Sequence, residues 1–260
     1  MKKRIAIVTG ASGGLGKEFV AIMVNEEIDE IWCVARNTQK LNMLKEEYGN
    51  KVVPLSFDLS EPESINSIKI LLEKEHPVIT YLINNTGIGE NLSPFKEFSL
   101  EKINNIIQIN CNTVVSLCAV CIPFMQEGSR ILNISSQSSF QPVPYLNLYA
   151  ATKVFVRSFT RALNFELKEA GIFATAVCPG WIDTEMLPKT LNGKKIKYPG
   201  LVSPKRVAAE ALSDAKKKKD MSVCTLYVKY MHLLSKIFPQ KTIMKNWVKN
   251  IQNLLENKES

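Results

Sequence analysis

The chain is poor in residues that bind metals or cross-link a fold. Of its 260 residues only two are histidines, His76 and His232, and six are cysteines. Cys118-Ala-Val-Cys121 has C-x-x-C spacing, but neither a second pair nor a nearby histidine completes a zinc set. Cys33, Cys111, Cys118, Cys121, Cys178 and Cys224 mostly fall in apolar strand or helix contexts, which predicts buried free thiols in a reducing compartment. No apolar run approaches the ~20 residues that cross a bilayer. The apolar stretch Ile5–Val8 behind Met1-Lys-Lys-Arg4 is too short for a signal peptide and runs directly into Thr9-Gly10. It reads as the first strand of a cytoplasmic protein. Exposed aromatics interleaved with the lysines are missing too, which argues against nucleic acid as a partner. No internal repeat, low-complexity linker or domain boundary appears before about residue 185.

What is present is a globular composition, with 45% hydrophobic residues and a mean hydropathy of −0.04. The length suffices for a large buried core. Charge is divided unevenly along it. Residues 1–188 carry 17 Lys+Arg against 20 Asp+Glu, whereas residues 189–260 carry 16 against 5, a local excess of +11. The basic character therefore belongs to the last quarter of the chain.

Short β-branched runs alternate with segments of helical spacing. Lys3–Thr9 reads as a strand, followed by Thr9-Gly10-Ala-Ser-Gly-Gly14-Leu-Gly16 and then Phe19, Val20, Met23 and Val24 on one helical face. A strand, a glycine turn and a helix open a nucleotide-binding βαβ unit, in which backbone amides at the helix N-terminus receive a pyrophosphate. Strand two, Ile31–Val34, ends in Ala35-Arg36, where an NAD site would carry an acidic residue. Arg36 suits a 2′-phosphate and favours NADP(H). A helix follows over Thr38–Tyr48. Strand three, Val52–Phe57, ends in Asp58-Leu59, and Ser60 with Pro62 and Glu63 marks a helix start. Strand four, Ile79–Ile83, ends in Asn84-Asn85-Thr86-Gly87; strand five, Arg130–Ile134, ends in Ser135-Ser136; strand six, Ile172–Val177, ends in Cys178-Pro179-Gly180. A seventh, short strand is expected at Ser222–Thr225. Polar residues after each apolar strand mark the ligand edge of a doubly wound, mainly parallel seven-stranded α/β sheet, Rossmann-like, with helices on both faces.

A long helix over about Leu148–Ala170 carries Tyr149 and Lys153, which share a face at i and i+4. A free phenol titrates near pH ~10 and is a poor acid–base catalyst at neutrality. An ammonium beside it favours the phenolate and is expected to lower its pKa. Ser136 would hold the oxygen that exchanges the proton. Asn110, set among apolar neighbours in the preceding helical region, would bend that helix and hold a water near Lys153.

In this order and spacing the residues Thr9, Gly10, Gly14, Gly16, Asp58, Asn84, Asn85, Gly87, Asn110, Ser136, Tyr149, Lys153, Pro179, Gly180 and Thr184 resemble the short-chain dehydrogenases/reductases. The likeness runs from the glycine turn through Thr184. Thr86 stands where that family usually has alanine, and Gly13 where its NADP-preferring members often have a basic residue. The resemblance implies a catalytic set of Asn110, Ser136, Tyr149 and Lys153, with Tyr149 as general acid–base. It implies a dinucleotide site of Gly10, Ser12, Gly14, Leu15, Gly16, Arg36, Asp58, Leu59, Asn85, Gly87, Tyr149, Lys153, Pro179, Gly180, Ile182 and Thr184, with no metal. The reaction implied is interconversion of a carbonyl and a secondary alcohol. A homodimer or homotetramer is the usual assembly of that family. A nucleotide-sensing or membrane-associated binding protein without catalysis is the alternative on the same fold.

The body of the domain is expected over 1–220, with a substrate lid at about 185–202 bearing Met186, Leu187, Leu191, Ile196, Tyr198 and Leu201. Residues 221–260 form an extension of two amphipathic stretches parted by Pro239. One places Tyr227, Tyr230, Met231, Leu234 and Phe238 on a face, the other Ile243, Met244, Trp247, Val248, Ile251 and Leu255. Three placements are open for them: burial against the body, contact with the inner face of an anionic membrane, or a subunit interface. With Tyr145, Leu146, Met186 and Leu187 at the expected mouth, the substrate is expected to be hydrophobic, of steroid or fatty-carbonyl type.

Overall fold

The computed structural model describes residues 2–191 and 194–255. Strands β1 (Arg4–Thr9), β2 (Glu30–Ala35), β3 (Val52–Ser56), β4 (Val78–Asn84), β5 (Arg130–Ile134) and β6 (Phe173–Val177) alternate with helices. These are α1 (Gly14–Met23), α2 (Thr38–Tyr48), α3 (Pro62–Glu75), α4 (Leu100–Ile107) with α5 (Thr113–Cys121), and α6 (Asn147–Glu166). Beyond β6 come the antiparallel pair β7 (Thr190–Leu191) and β8 (Lys194–Lys195), then α7 (Pro204–Lys216), β9 (Met221–Ser222), α8 (Leu226–Ile237) and α9 (Gln240–Leu255). The lid and face positions Leu191 and Leu255, in their side chains, and residues 256–260 lie outside the described residues.

Among the described residues seven strands form one sheet in the order β3-β2-β1-β4-β5-β6-β9, every neighbouring pair parallel. The period-two alternation of β1 divides its side chains between two layers. Ala6 and Val8 pack with Phe19, Val20 and Met23 of α1, Leu41 of α2 and Val207 and Ala211 of α7. Ile5 and Ile7 pack on the other face with Ile68 and Leu72 of α3, Leu117 of α5 and Leu163 of α6. The chain reverses its direction of travel across the sheet between β1 and β4, which opens a crevice at the carboxyl edge where such sheets bind ligands.

Several boundaries differ from the sequence expectation. The last strand is Met221–Ser222, one step earlier than expected, because Thr225 adopts φ 70° and its hydroxyl accepts the Val228 N–H at 3.3 Å, turning the chain into α8. The long helix stops at Glu166 and passes through a single tight turn, Lys168–Ala170, to Gly171 at φ 69°. Ser60 does not cap α3; its hydroxyl donates to Asp58 at 2.7 Å, and Glu61 precedes the helix without a side-chain bond. Between α4 and α5 the turn Gln108–Asn112 widens into a π-helix.

By length and composition the helical run Leu100–Phe124 is long and apolar enough to cross a membrane. Its apolar residues are interrupted by Gln108, Asn110 and Asn112, so no uninterrupted run shows, yet the average stays high. Half of that window is buried inside the fold, with Leu117, Cys118 and Cys121 in the core against the sheet.

Candidate active site

The turn after β1 forms the floor of the crevice. Gly10 takes φ 62°, and a Cβ on Gly16 would lie 2.1 Å from the Gly10 carbonyl oxygen, so neither position accepts a side chain. The first amides of α1 have no side-chain cap from Gly13 and no acidic residue in the first turn. That combination leaves N–H groups and the positive end of the helix dipole free for a phosphate. Asn85 braces the turn from β4, its side-chain amide donating to the carbonyls of Thr9 at 3.0 Å and Gly10 at 3.3 Å. The Thr9 hydroxyl accepts the N–H groups of Asn85 and Thr86, both at 2.9 Å. Ser12 is partly buried and Leu15 buried just inside α1.

At the ends of β2 and β3, Arg36 lies 3.8 Å from the Asp58 carboxylate, and the guanidinium is largely exposed. Burial works against the Asp58 charge, but the Ser60 hydroxyl and amide and the Arg36 guanidinium hold its carboxyl below the usual range. Leu59 is buried, and its carbonyl accepts the Thr113 hydroxyl at 2.8 Å, which ties α5 to this corner. Asn84 is turned away from the crevice into the core, where its amide donates to Asn133 at 2.8 Å. On the far side Pro179 accepts the Gln137 N–H at 2.7 Å, and the Thr184 methyl packs on Gly14. Ile182 pairs with Val202 in an isolated parallel bridge, which joins the stretch after Gly180 to the approach to α7. The glycine cradle, the free amides and the Arg36 cation fit a nicotinamide dinucleotide.

Ser136, Tyr149 and Lys153 converge beside this cradle. The Ser136 hydroxyl, which accepts the Ser138 N–H at 3.2 Å, lies close enough to the Tyr149 phenol to favour its ionised form. Lys153 is 5% exposed, its ammonium donates to the Ile134 carbonyl at 3.0 Å, and it stands 5.5 Å from the centre of the Tyr149 ring. A Cβ on Gly87 would lie 3.3 Å from that ammonium and 3.4 Å from Asn110 Oδ1. Asn110 sits in the π turn and has both ends of its amide engaged. It accepts the Ile88 N–H at 2.9 Å and donates to the Ile88 carbonyl at 3.0 Å and to Thr152 at 3.2 Å. It thereby fastens the loop after β4 to α6. All six cysteines are free and buried, and no group of three or more metal-ligating side chains occurs among the described residues.

One expectation is overturned. The Tyr149 phenol is pushed above its ordinary value by burial, with the nearby Ser136 hydroxyl only opposing the rise. The Lys153 ammonium, 5.5 Å from the ring centre, does not offset that burial; it donates to the Ile134 carbonyl and is itself pulled down to about 8 by burial. In the chain alone, desolvation outweighs the ion–phenol attraction.

Comparison with known proteins agrees with this geometry. Residues 4–195 match the family model of the short chain dehydrogenases. The chain belongs to the short-chain dehydrogenase family. It is 32% identical over 211 residues to a very-long-chain 3-oxoacyl-CoA reductase of Rattus norvegicus, covering 76% of this chain and 64% of that protein. A short-chain dehydrogenase from Sphingobium yanoikuyae, solved in complex with NADPH, superposes with a TM-score of 0.76 at 24% identity over 99% of this chain and 98% of that one. A 3-ketoacyl-(acyl-carrier-protein) reductase from Brucella melitensis, complexed with NADH, has a TM-score of 0.73 at 24% identity, covering 85% and 96%. Family membership favours an oxidoreductase acting on CH–OH or C=O groups over a nucleotide sensor.

This short-chain dehydrogenase also uses residues that the sequence did not single out. The Glu90 carboxylate accepts the backbone N–H of Tyr149 at 2.8 Å and so caps α6, whose own N-cap position, Leu146, has no side-chain bond. Nothing in the sequence marks it, since the two lie 59 residues apart. The Ser135 hydroxyl donates to the Lys153 carbonyl at 2.7 Å. Of the two C-terminal helices, α9 is buried against the body on its apolar face. Trp247 donates its indole N–H to Pro144 at 2.8 Å and packs on Val143, Leu146 and Ala150, the loop and helix start leading to Tyr149. Val228 of α8 lies against Gly180.

Proposed function

We propose that this protein interconverts a hydrophobic carbonyl compound and its secondary alcohol with NADP(H), Tyr149 serving as the general acid–base. The observation that carries the reading is the convergence of Ser136, Tyr149 and a buried Lys153, whose ammonium stands 5.5 Å from the centre of the Tyr149 ring, at the carboxyl edge of the sheet. When bound, the reduced nicotinamide supplies the hydride. Ser136 orients the substrate oxygen, and Tyr149 gives it the proton from its phenol. The phenolate left behind is stabilised by the Lys153 ammonium. Because burial raises the Tyr149 pKa, the phenol is protonated at neutral pH and is set for the reductive direction. Asn110 acts as a positioning residue, holding α6 and the Ile88 loop in register.

The dinucleotide would lie on Gly10, Ser12, Gly14, Leu15 and Gly16, with Asn85, Gly87, Leu59, Pro179, Gly180, Ile182 and Thr184 along its length. Preference for NADP(H) rests on Arg36, which would exchange the exposed Asp58 carboxylate for a 2′-phosphate. The mouth is apolar: Leu92, Val143, Leu146 and Trp247 cluster there, and Met186 reaches across to Gly89. That lining supports a hydrophobic substrate, and the name of the rat relative favours a fatty carbonyl over a steroid. Exposed Phe155 and Phe165 on α6 and Leu100 on α4 would form the contact of a homodimer or homotetramer.

The test is NADPH consumption with 3-oxoacyl thioesters of increasing chain length, beside steroid ketones and small polar ketones. Tyr149→Phe should lower kcat by at least about 100-fold while NADPH affinity stays within about twofold. Substantial turnover by that variant, or higher kcat/KM on small polar ketones, would overturn the proposal.

A further inference from the structure

The helix α8 is apolar on both of its faces. Inward, Tyr227 and Val228 pack against Phe140, Ala176, Cys178 and Val223, and His232 stacks on Phe140 with ring centres 4.2 Å apart. Outward, Leu226, Tyr230, Leu233 and Ile237 follow one another at i, i+4, i+7 and i+11, exposed by 82%, 57%, 54% and 63%, and Phe238 continues the stripe. A helix apolar all round is ordinarily enclosed. This one lies at the surface with an uncovered stripe, and a contiguous exposed apolar patch marks an interaction site.

Charge decides the occupant. Across residues 226–255 there are five lysines and no aspartate or glutamate. Lys229 and Lys236 border the stripe on α8, while Lys241, Lys245 and Lys249 form one exposed line at i, i+4 and i+8 on α9. Of the two on α8, Lys229 reaches Glu210 at 3.5 Å. A second copy docked isologously would set lysine against lysine and repel itself. An anionic bilayer turns the same charges into attraction and accepts the leucines, isoleucine and tyrosine.

We propose that the outer face of α8, with the lysines of α8 and α9, docks on an anionic lipid bilayer. The protein is then cytoplasmic and peripheral to the inner face of a membrane. The docked helix adjoins the segment that borders the substrate mouth. Gly200 at the end of the lid rests on the Tyr227 ring with half-exposed Leu201 beside it, and α9 covers the loop before Tyr149 through Trp247. An apolar substrate dissolved in the bilayer meets that mouth without crossing water. The docking does not depend on the chemistry proposed above, because it is read as binding.

The experiment is flotation of the full chain with vesicles of phosphatidylcholine alone or with about one-third phosphatidylglycerol. The wild type should bind the anionic vesicles about tenfold more tightly than the neutral ones, and about 0.5 M salt should release it. Leu233→Glu with Ile237→Glu changes only exposed positions and should weaken binding by at least about tenfold, with an unchanged circular dichroism spectrum. Lys236→Gln with Lys241→Gln and Lys245→Gln tests the charge separately, should the first variant misfold. Equal binding to both vesicle types, or unaltered binding by either variant, overturns the proposal. So does a failure to bind accompanied by a concentration-dependent dimer that Ile237→Glu splits, which would assign the stripe to a second copy.

Discussion

Lys153→Met should make the protein more stable while removing its activity. The ammonium is 5% exposed, and burial takes its pKa from the ordinary 10.5 to about 8. At ~1.4 kcal/mol per pH unit, keeping that charge inside the fold at neutral pH costs about 3 kcal/mol. Methionine fills similar volume without charge, but forfeits the hydrogen bond to the Ile134 carbonyl at 3.0 Å. A bond from a charged donor is worth about 2 kcal/mol, which leaves a net gain of about 1 kcal/mol. With an unfolding entropy of ~2.1 cal/mol/K per residue, a chain of 260 residues should melt about 2 °C higher. The folded pKa lies below the unfolded one, so the unfolded state binds more protons between about pH 8 and 10.5, and wild-type stability rises across that window. The gap between variant and wild type is therefore full below pH 8 and closes toward 10.5. Thermal melts of both proteins from pH 6 to 10 read it directly. A variant that melts lower than wild type at pH 7, or a gap that does not narrow at high pH, would refute the reasoning. Turnover by the variant should fall at least about 100-fold, because the phenolate loses its counter-charge.

Carbonyl reduction needs the protonated phenol and alcohol oxidation the phenolate, so with Tyr149 raised by burial the reductive rate should hold through neutrality and fall on the alkaline side, while oxidation climbs with pH; the opposite slopes in initial-rate profiles would exclude Tyr149 as the proton carrier. Arg36→Asp should shift the kcat/KM ratio from NADPH toward NADH by at least about tenfold, since a carboxylate repels the 2′-phosphate; an unchanged ratio would remove Arg36 from cofactor choice. Glu90→Ala leaves the Tyr149 N–H of α6 without its acceptor and should cost about 1 kcal/mol of stability with a few-fold loss of kcat at similar KM. Glu90→Gln should restore most of both, and wild-type melting and kcat in the alanine variant would show that the cap is idle.

The parts of this site that lie on regular elements were legible from the residues alone. Tyr149 and Lys153 four apart on a helix, the glycine turn after a strand, and polar residues at the ends of β3, β4 and β5 all follow from period and position. What escaped depends on long-range packing. Glu90 and Tyr149 meet only because the end of β4 and the start of α6 lie at the same edge of the sheet. The raised phenol is not legible in the sequence, because i, i+4 spacing says that two side chains are neighbours, not how far each is desolvated or which carbonyl the ammonium prefers. For the last two helices the amphipathic pattern identified the buried face of α9. On α8 it joined Tyr230 and Phe238 to the inward face, although the fold leaves them outside.

The widened turn at Gln108–Asn112 sets local regularity against chemistry. Such a bulge amounts to one residue more than a straight helix needs. Cutting a single residue from it would give α4 and α5 a continuous axis and normal spacing. Every side chain on one side of the cut would also swing by about 100°, carrying Asn110 off Ile88 and Thr152. A design that smooths this kink would therefore be expected to yield a sturdier helix in an enzyme whose reactive residues have lost their common frame.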